Sequence, residues 1–210
     1  MYVPRPHTMA DADVAAFLAH RAAGHLVTVG TDGIPDSTLL PVVVDGDRVL
    51  GHLARANEHW RRIEAGSPGL VVVTGADAYV SPSWYASKAE HGRVVPTWNY
   101  TEVHLRGPVT VHDDPDWVLD VVTRLTERHE SGREHPWAVG DAPEAYLRGQ
   151  LRAIVGVEVQ VRSVEGKAKL SQNRSDADRL GVVAALRTED GAAAHAVADD
   201  MERVLRDLSD

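Results

Sequence analysis

Three short apolar runs joined by two tight turns constrain this chain more than any other feature. His25-Leu-Val-Thr-Val-Gly30 alternates like a strand, and the Thr31-Asp-Gly-Ile-Pro35 that follows carries Asp-Gly, a hairpin dipeptide. Residues 36–44 form a second run. Asp45-Gly46-Asp47 turns the chain again, and Arg48-Val-Leu-Gly-His-Leu53 is the third run. Connections this short are too small for a parallel crossover, so the meander predicts an antiparallel sheet. Pro41 in the second run has no N–H for a ladder, which predicts an edge, a bulge, or a place where something other than a strand is paired.

The rest of the chain adds strands and helices. Gly69–Thr74 is a run of β-branched residues that reads as a buried strand. An apolar run ends at Tyr79-Val80-Ser81, Pro82 breaks it, and a polar loop from Ser83 to Val95 leads into a strand running from Thr97 to His112. From Ala153 to Val164 apolar and polar residues alternate, which predicts one long strand with Val157, Val159 and Val161 on one face. Thr8 or Asp11 caps a first helix that Gly24 stops, and Asn57 caps a short helix from Glu58 to Ala65. Pro115 opens a helix with Val118, Val121, Val122 and Leu125 on one face, and Pro143 opens a shorter one. Ser175-Asp-Ala-Asp178 caps a tail helix, and Val197, Met201, Val204 and Leu208 mark a last amphipathic one. The fold class is therefore mainly β with helices, α+β.

Composition excludes several function classes. Without cysteine there are no disulfides, thiolate metal sites or Cys nucleophile, and the chain suits a reducing cytosol, hence a cytoplasmic location. Met1-Tyr-Val-Pro-Arg-Pro lacks the basic and apolar segments of a signal peptide. A formal net charge of -9 opposes non-specific nucleic-acid binding, and the last helix carries Asp199, Asp200, Glu202 and Asp207, so direct DNA binding is not expected. There is no G-x-x-x-x-G-K-[ST], no G-x-G-x-x-G, no H-E-x-x-H and no G-x-S-x-G. The 11 His are scattered, and no metal site is expected.

Three stretches carry the candidate site. Five of the chain's aromatics, Tyr79, Trp84, Tyr85, Trp98 and Tyr100, fall between residues 79 and 100. Polar-tipped rings at this density suit a flat ligand that is both covered and hydrogen-bonded, or an aromatic cap on a barrel. Arg55 and Asn57 stand at a strand-to-helix junction, which fits either an anion site or an ordinary capped helix. From Arg148 to Arg187 eight Lys/Arg face four Asp/Glu, a local reversal of the overall sign that places an anion near Lys169 and Arg174.

The segments SPSWY, VPTWNYTEVHLRG and KLSQNR, the opening MYVPRP and the stretch GHLARANEHWRRIEAG resemble the PaiB-type FMN-binding negative transcriptional regulators over nearly the whole chain. That resemblance implies an antiparallel split β-barrel with flanking helices, a homodimer, and FMN at the subunit interface. It implies a barrel domain over 1–170 and a helical appendage over 171–210, packed on the barrel or on the dimer partner. By the same analogy Thr38, Leu39, Leu40 and Pro41 line the isoalloxazine, and His52, Ala54, Arg55 and Asn57 approach the ribityl phosphate. Trp98, Asn99, Lys169, Gln172, Asn173 and Arg174 complete the site, with the partner subunit as one source of them. The family commonly has His where this chain has Leu39. The function implied is FMN binding with a regulatory, redox- or ligand-sensing role. An FMN-dependent oxidoreductase acting on a small molecule is the alternative, and a tetrapyrrole binder on the same barrel is a third class.

Overall fold

A computed structural model describes residues 1–207, so Leu208 of the last amphipathic helix lies outside the described residues. In chain order the elements are α1 (Asp11–Ala19), β1 (Ala23–Val29), β2 (Pro35–Asp45), β3 (Arg48–Ala54), β4 (Pro68–Val80), α2 (Ser87–His91), β5 (Thr97–His112), α3 (Pro115–Glu130), α4 (Glu144–Leu151), β6 (Ile154–Gln160), β7 (Ser163–Lys169), α5 (Asp176–Leu186) and α6 (Ala192–Asp207). The strands hydrogen-bond in the order β4-β1-β2-β3-β6-β5-β7, and β4 also pairs with β5. That extra pairing makes β4-β1-β2-β3-β6-β5 a closed cycle, the antiparallel split barrel that the meander and the resemblance imply.

Two compact units are interleaved in sequence: residues 1–14, 74–103 and 165–210 form one, and residues 15–73 and 104–164 the other. The long strands β4 and β5 each contribute to both. We call the first the tail unit and the second the meander unit.

The core of the meander unit is the inward row of its strands. Leu26, Leu40, Val42, Val49, Leu53, Val71, Val73, Val109, Val155, Val157 and Val159 are all buried, as the alternation predicts. On the outer face α3 packs Val121 and Leu125 against Leu50, with Val43 and Trp117 beside them. The β2–β3 register covers only Val42–Asp45 against Arg48–Gly51, whereas β1 pairs β2 from Pro35 to Pro41. β2 thus changes partner at Pro41, the residue that cannot donate to a ladder.

Three local expectations are corrected here. Gly24 does not stop a helix; it lies buried inside β1, where a Cβ would sit 3.0 Å and 3.1 Å from the side chains of Val71 and Val73. The end of α1 is held instead by Arg128, which donates to the carbonyls of Leu18, Ala19 and Arg21. The segment after Asn57 is a 3-10 helix, Glu58–Arg62, rather than a helix reaching Ala65. The alternating stretch from Ala153 divides into β6 and β7 because Val161 and Arg162 turn their N–H groups to Asp47 and Arg106.

In the tail unit, α5 and α6 bury Val182, Val183, Leu186, Val197, Ala198 and Met201 against Ala78, Val80, Tyr85 and Leu170. The predicted cap is present: the Ser175 side chain accepts from the Asp178 N–H. The polar loop after Pro82 is partly ordered into a 3-10 turn, Pro82–Trp84, and α2.

Candidate functional site

Within the tail unit, β5 and the segment after β7 build a pocket of about 120 Å³ lined by His7, Tyr85, Val95, Pro96, Thr97, Asn99, Lys169, Ser171, Asn173 and Arg174. Four of the residues expected from sequence therefore come together: Asn99, Lys169, Asn173 and Arg174. Asn99 is fully buried; its amide nitrogen donates to Ser171 Oγ at 3.0 Å and approaches Met201 Sδ at 3.4 Å. Its partner Ser171 has φ 64°, a left-handed conformation that costs a non-glycine residue about 1–3 kcal/mol. The turn it makes ends in the Arg174 N–H bonded to the Ser171 carbonyl at 3.0 Å. Asn99 and Ser171 thus set the path of the chain that presents Arg174.

The electrostatics of the pocket favour an anion. Among the described residues the Arg174 guanidinium makes no hydrogen bond or ion pair; it lies over the Tyr85 ring at 4.7 Å from the centroid. Lys169 donates to Thr97 Oγ1 and to the Trp98 carbonyl. Burial, with the charges of Lys167 and Arg174, pulls its ammonium below the ordinary lysine value. An anion between these cations relieves that repulsion. Asp178, which the Arg174 charge reaches, accepts from Ser87 through both backbone and side chain. Burial opposes its charge, yet the Ser87 bonds and the Arg174 charge hold it below the usual carboxylate range.

Gln172 and Trp98 have other roles. Gln172 accepts from the Leu170 N–H, donates to the Ala168 carbonyl and meets His7 Nδ1. The Trp98 ring is half exposed, edge-on to Tyr79, and donates to Asp77 at 3.0 Å. His7, Thr97 and Ser171 line the pocket without having been singled out by sequence as site residues, and Tyr85 had been noted only as part of the aromatic stretch. All four stood inside or directly beside the segments that carry the resemblance, which was the available signal.

In the meander unit the remaining candidates sort by strand parity. Thr38 and Leu40 face inward and Leu39 and Pro41 outward: Leu40 is 4% exposed and Leu39 60%. Thr38 joins a network in which His59 Nδ1 meets Thr38 Oγ1 at 2.8 Å, His59 Nε2 meets Thr28 Oγ1 at 2.9 Å, and Asn57 donates to Thr38 at 3.2 Å. Burial pushes His59 below the ordinary histidine value, with Asp36 opposing and Arg62 assisting. The Asn57 carbonyl oxygen caps the following turn by accepting from the His59 N–H. Arg55 is fully engaged: its guanidinium pairs with Asp113, donates to the carbonyls of Arg152 and Ile154, and lies 5.8 Å from the Trp60 ring centroid. His52 is half-buried, its Nδ1 has no hydrogen-bond partner among the described residues, and burial lowers its pKa. Ala54 is exposed at the end of β3. Among the described residues no group of His, Cys, Asp and Glu could hold a metal ion, and no helix is long and apolar enough to cross a membrane.

Comparison with known proteins identifies the family and the fold. Residues 1–163 match the family described as "Putative FMN-binding domain". The chain is 32% identical to the protease synthase and sporulation protein PAI 2 of Bacillus subtilis over 211 aligned positions, covering 98% of this chain and 99% of the relative. It shares its fold with the FAD and heme binding protein from Mycobacterium smegmatis (TM-score 0.59, 18% identity, 79% of this chain and 74% of that one). The conserved hypothetical protein Rv2991 from Mycobacterium tuberculosis is similar as well (TM-score 0.58, 15% identity, 82% and 92%). With the family matched over most of the chain and PAI 2 matched from end to end, the chain belongs to the PaiB-type family of FMN-binding domains.

Proposed function

We propose that the protein binds FMN as a homodimer and that the phosphate end of the cofactor is held in the pocket of the tail unit. The observation that carries this reading is the Arg174 guanidinium, without a hydrogen-bond partner among the described residues, beside a lysine whose charge is already disfavoured. A phosphate monoester brings a charge near -2 and three acceptor oxygens. Arg174, Lys169 and the Thr97 hydroxyl are the donors that would hold it. About 120 Å³ is below the roughly 300–1,000 Å³ of pockets that enclose a whole drug-sized ligand, so the pocket fits the phosphate end and the ring extends beyond it. When bound, the flavin supplies hydride and electron-transfer chemistry of its own.

The exposure of Leu39 and Pro41 on the outward row of β2 supports their expected contribution to flavin binding. Kinship with a protein named for protease synthesis and sporulation supports a regulatory or ligand-sensing role, and the cysteine-free composition is compatible with exercising it in the cytoplasm. The acidic side chains of α6, Asp199, Asp200 and Glu202, argue against that role being exercised by direct contact with duplex DNA.

Fluorescence titration with FMN and riboflavin tests the reading. Binding of FMN at least about tenfold tighter than riboflavin supports it, because a single charge-assisted phosphate contact contributes about 1.5–3 kcal/mol. Equal affinity for the two removes the phosphate from the pocket. Light scattering that shows a monomer at micromolar concentration removes the dimer.

A further inference from the structure

His7 closes the 3-10 turn Arg5–His7, is 7% exposed, and lines the pocket with Lys169 and Arg174. The hydrogen-bond network fixes its tautomer. Gln172 donates from Nε2 to the Ala168 carbonyl at 2.6 Å and accepts at Oε1 from the Leu170 N–H at 2.8 Å. Both ends of the amide are thereby set by the backbone of β7 and the residue after it. His7 Nδ1 lies 2.9 Å from that same Oε1, an atom that can only accept. Nδ1 therefore carries a proton, and in the neutral ring Nε2 is a bare lone pair. Facing an anion, a bare lone pair repels; a protonated Nε2 donates a charge-assisted hydrogen bond.

We propose that His7 is a ligand of the bound phosphate in its imidazolium form, so that filling the pocket takes up a proton. The identity of the natural ligand as FMN rests on the reading above; the proton coupling rests on His7 and its fixed tautomer. The charged and titratable groups around His7 are Arg5 on its own turn, Lys167 across the Thr8–Lys167 bridge, Lys169 on β7, Arg174 after it, and Tyr85 on the opposite wall. The carboxylates of this unit nearest in sequence to those groups have partners: Glu165 pairs with the Met1 amino terminus at 2.8 Å, Asp176 with Arg179 at 3.1 Å, and Asp178 with Ser87, while the Arg174 charge also acts on Asp178. An arriving phosphate dianion therefore supplies the negative charge with which the imidazolium pairs.

The test is the pH dependence of binding between about pH 7 and about pH 8.5, where a phosphate monoester with a second pKa near 6 is a dianion throughout. For the wild type, FMN affinity is expected to fall with rising pH, by up to about tenfold per unit, as required when about one proton is taken up. His7→Gln keeps a side-chain amide for Gln172 and cannot titrate; its affinity should be lower at about pH 7 and flat above it. Calorimetry in two buffers of different ionisation enthalpy counts the proton directly, and His7→Gln should abolish its uptake. A wild-type profile without slope overturns the proposal. So does a slope that survives in His7→Gln, which would assign the proton to Lys169. Thermal stabilisation by inorganic phosphate, measured over the same pH range, separates the two readings. Stabilisation that depends on pH and on His7, with no FMN binding, sinks the FMN assignment and keeps His7. FMN binding without the His7-dependent slope does the reverse, and silence in both arms overturns both.

Discussion

Arg55 and Arg174 each stand just before a turn into a helix, and each lies in a stretch whose charge suits an anion. Their surroundings differ. Arg55 is paired with Asp113, 58 positions away, and its remaining donors reach the carbonyls of Arg152 and Ile154. Among the described residues the Arg174 guanidinium makes no hydrogen bond or ion pair; it lies over the face of Tyr85 and acts on Asp178 through its charge alone. A cation that is already neutralised and hydrogen-bonded must break those contacts before it can hold a ligand, whereas one that is not can bind without that cost. The comparison teaches that a basic residue is left open to an anion only where the fold sets no carboxylate in hydrogen-bond contact with it.

The comparison can be broken in four ways. Arg174→Ala carries the largest expected effect: FMN affinity should fall by roughly ten- to a hundredfold, the loss of about 1.5–3 kcal/mol, while riboflavin affinity changes far less. Paired fluorescence titrations measure it, and equal losses for the two ligands would point to a packing effect instead. Asn99→Ala comes next. It strands the buried Ser171 hydroxyl and loosens the turn that presents Arg174, so denaturant unfolding should show a destabilisation of about 1–3 kcal/mol. FMN affinity should drop with it. Arg55→Ala should lower the thermal midpoint by releasing Asp113 and the two carbonyls, yet change the FMN-to-riboflavin affinity ratio by less than about threefold. A ratio that collapses as it does for Arg174→Ala would give Arg55 an equal share in the phosphate.

The smallest effect is on pH dependence, and it belongs to the meander unit. His52, His59 and His112 are all pushed below the ordinary histidine value, chiefly by burial. The folded state therefore prefers the neutral rings. Stability is fully present above the unfolded value of about 6.5 and is lost as pH falls from there through the folded values. Thermal midpoints should decline between about pH 7 and about pH 5, and His59→Gln should flatten part of that decline. A midpoint that rises on acidification would contradict the neutral assignment.

Much of the fold was legible because strand parity and tight turns are local. The β1–β3 meander, the face of β6, the Ser175 cap and the role of Pro41 follow from neighbours within a few residues. Gly24 misled because its reason for being glycine is the pair Val71 and Val73, far along the chain. The split between β6 and β7 was hidden for a related reason: the alternation barely breaks in sequence, and the division is made by Asp47 and Arg106. For the site, the basic stretch pointed to Lys169 and Arg174, which the fold brings to one pocket. Nothing local could show that Arg55 meets Asp113, or that His7 from the first turn stands beside Gln172, 165 positions later.

The central claim is that the phosphate of FMN lies with Arg174 and not with Arg55. A crystal structure of the FMN complex tests it most directly. The account predicts phosphate oxygens within about 3 Å of the Arg174 guanidinium and of His7 Nε2, with the Arg55–Asp113 pair intact. A phosphate seated at Arg55 and Asn57, with Asp113 displaced and Arg174 still lying free over Tyr85, would contradict it.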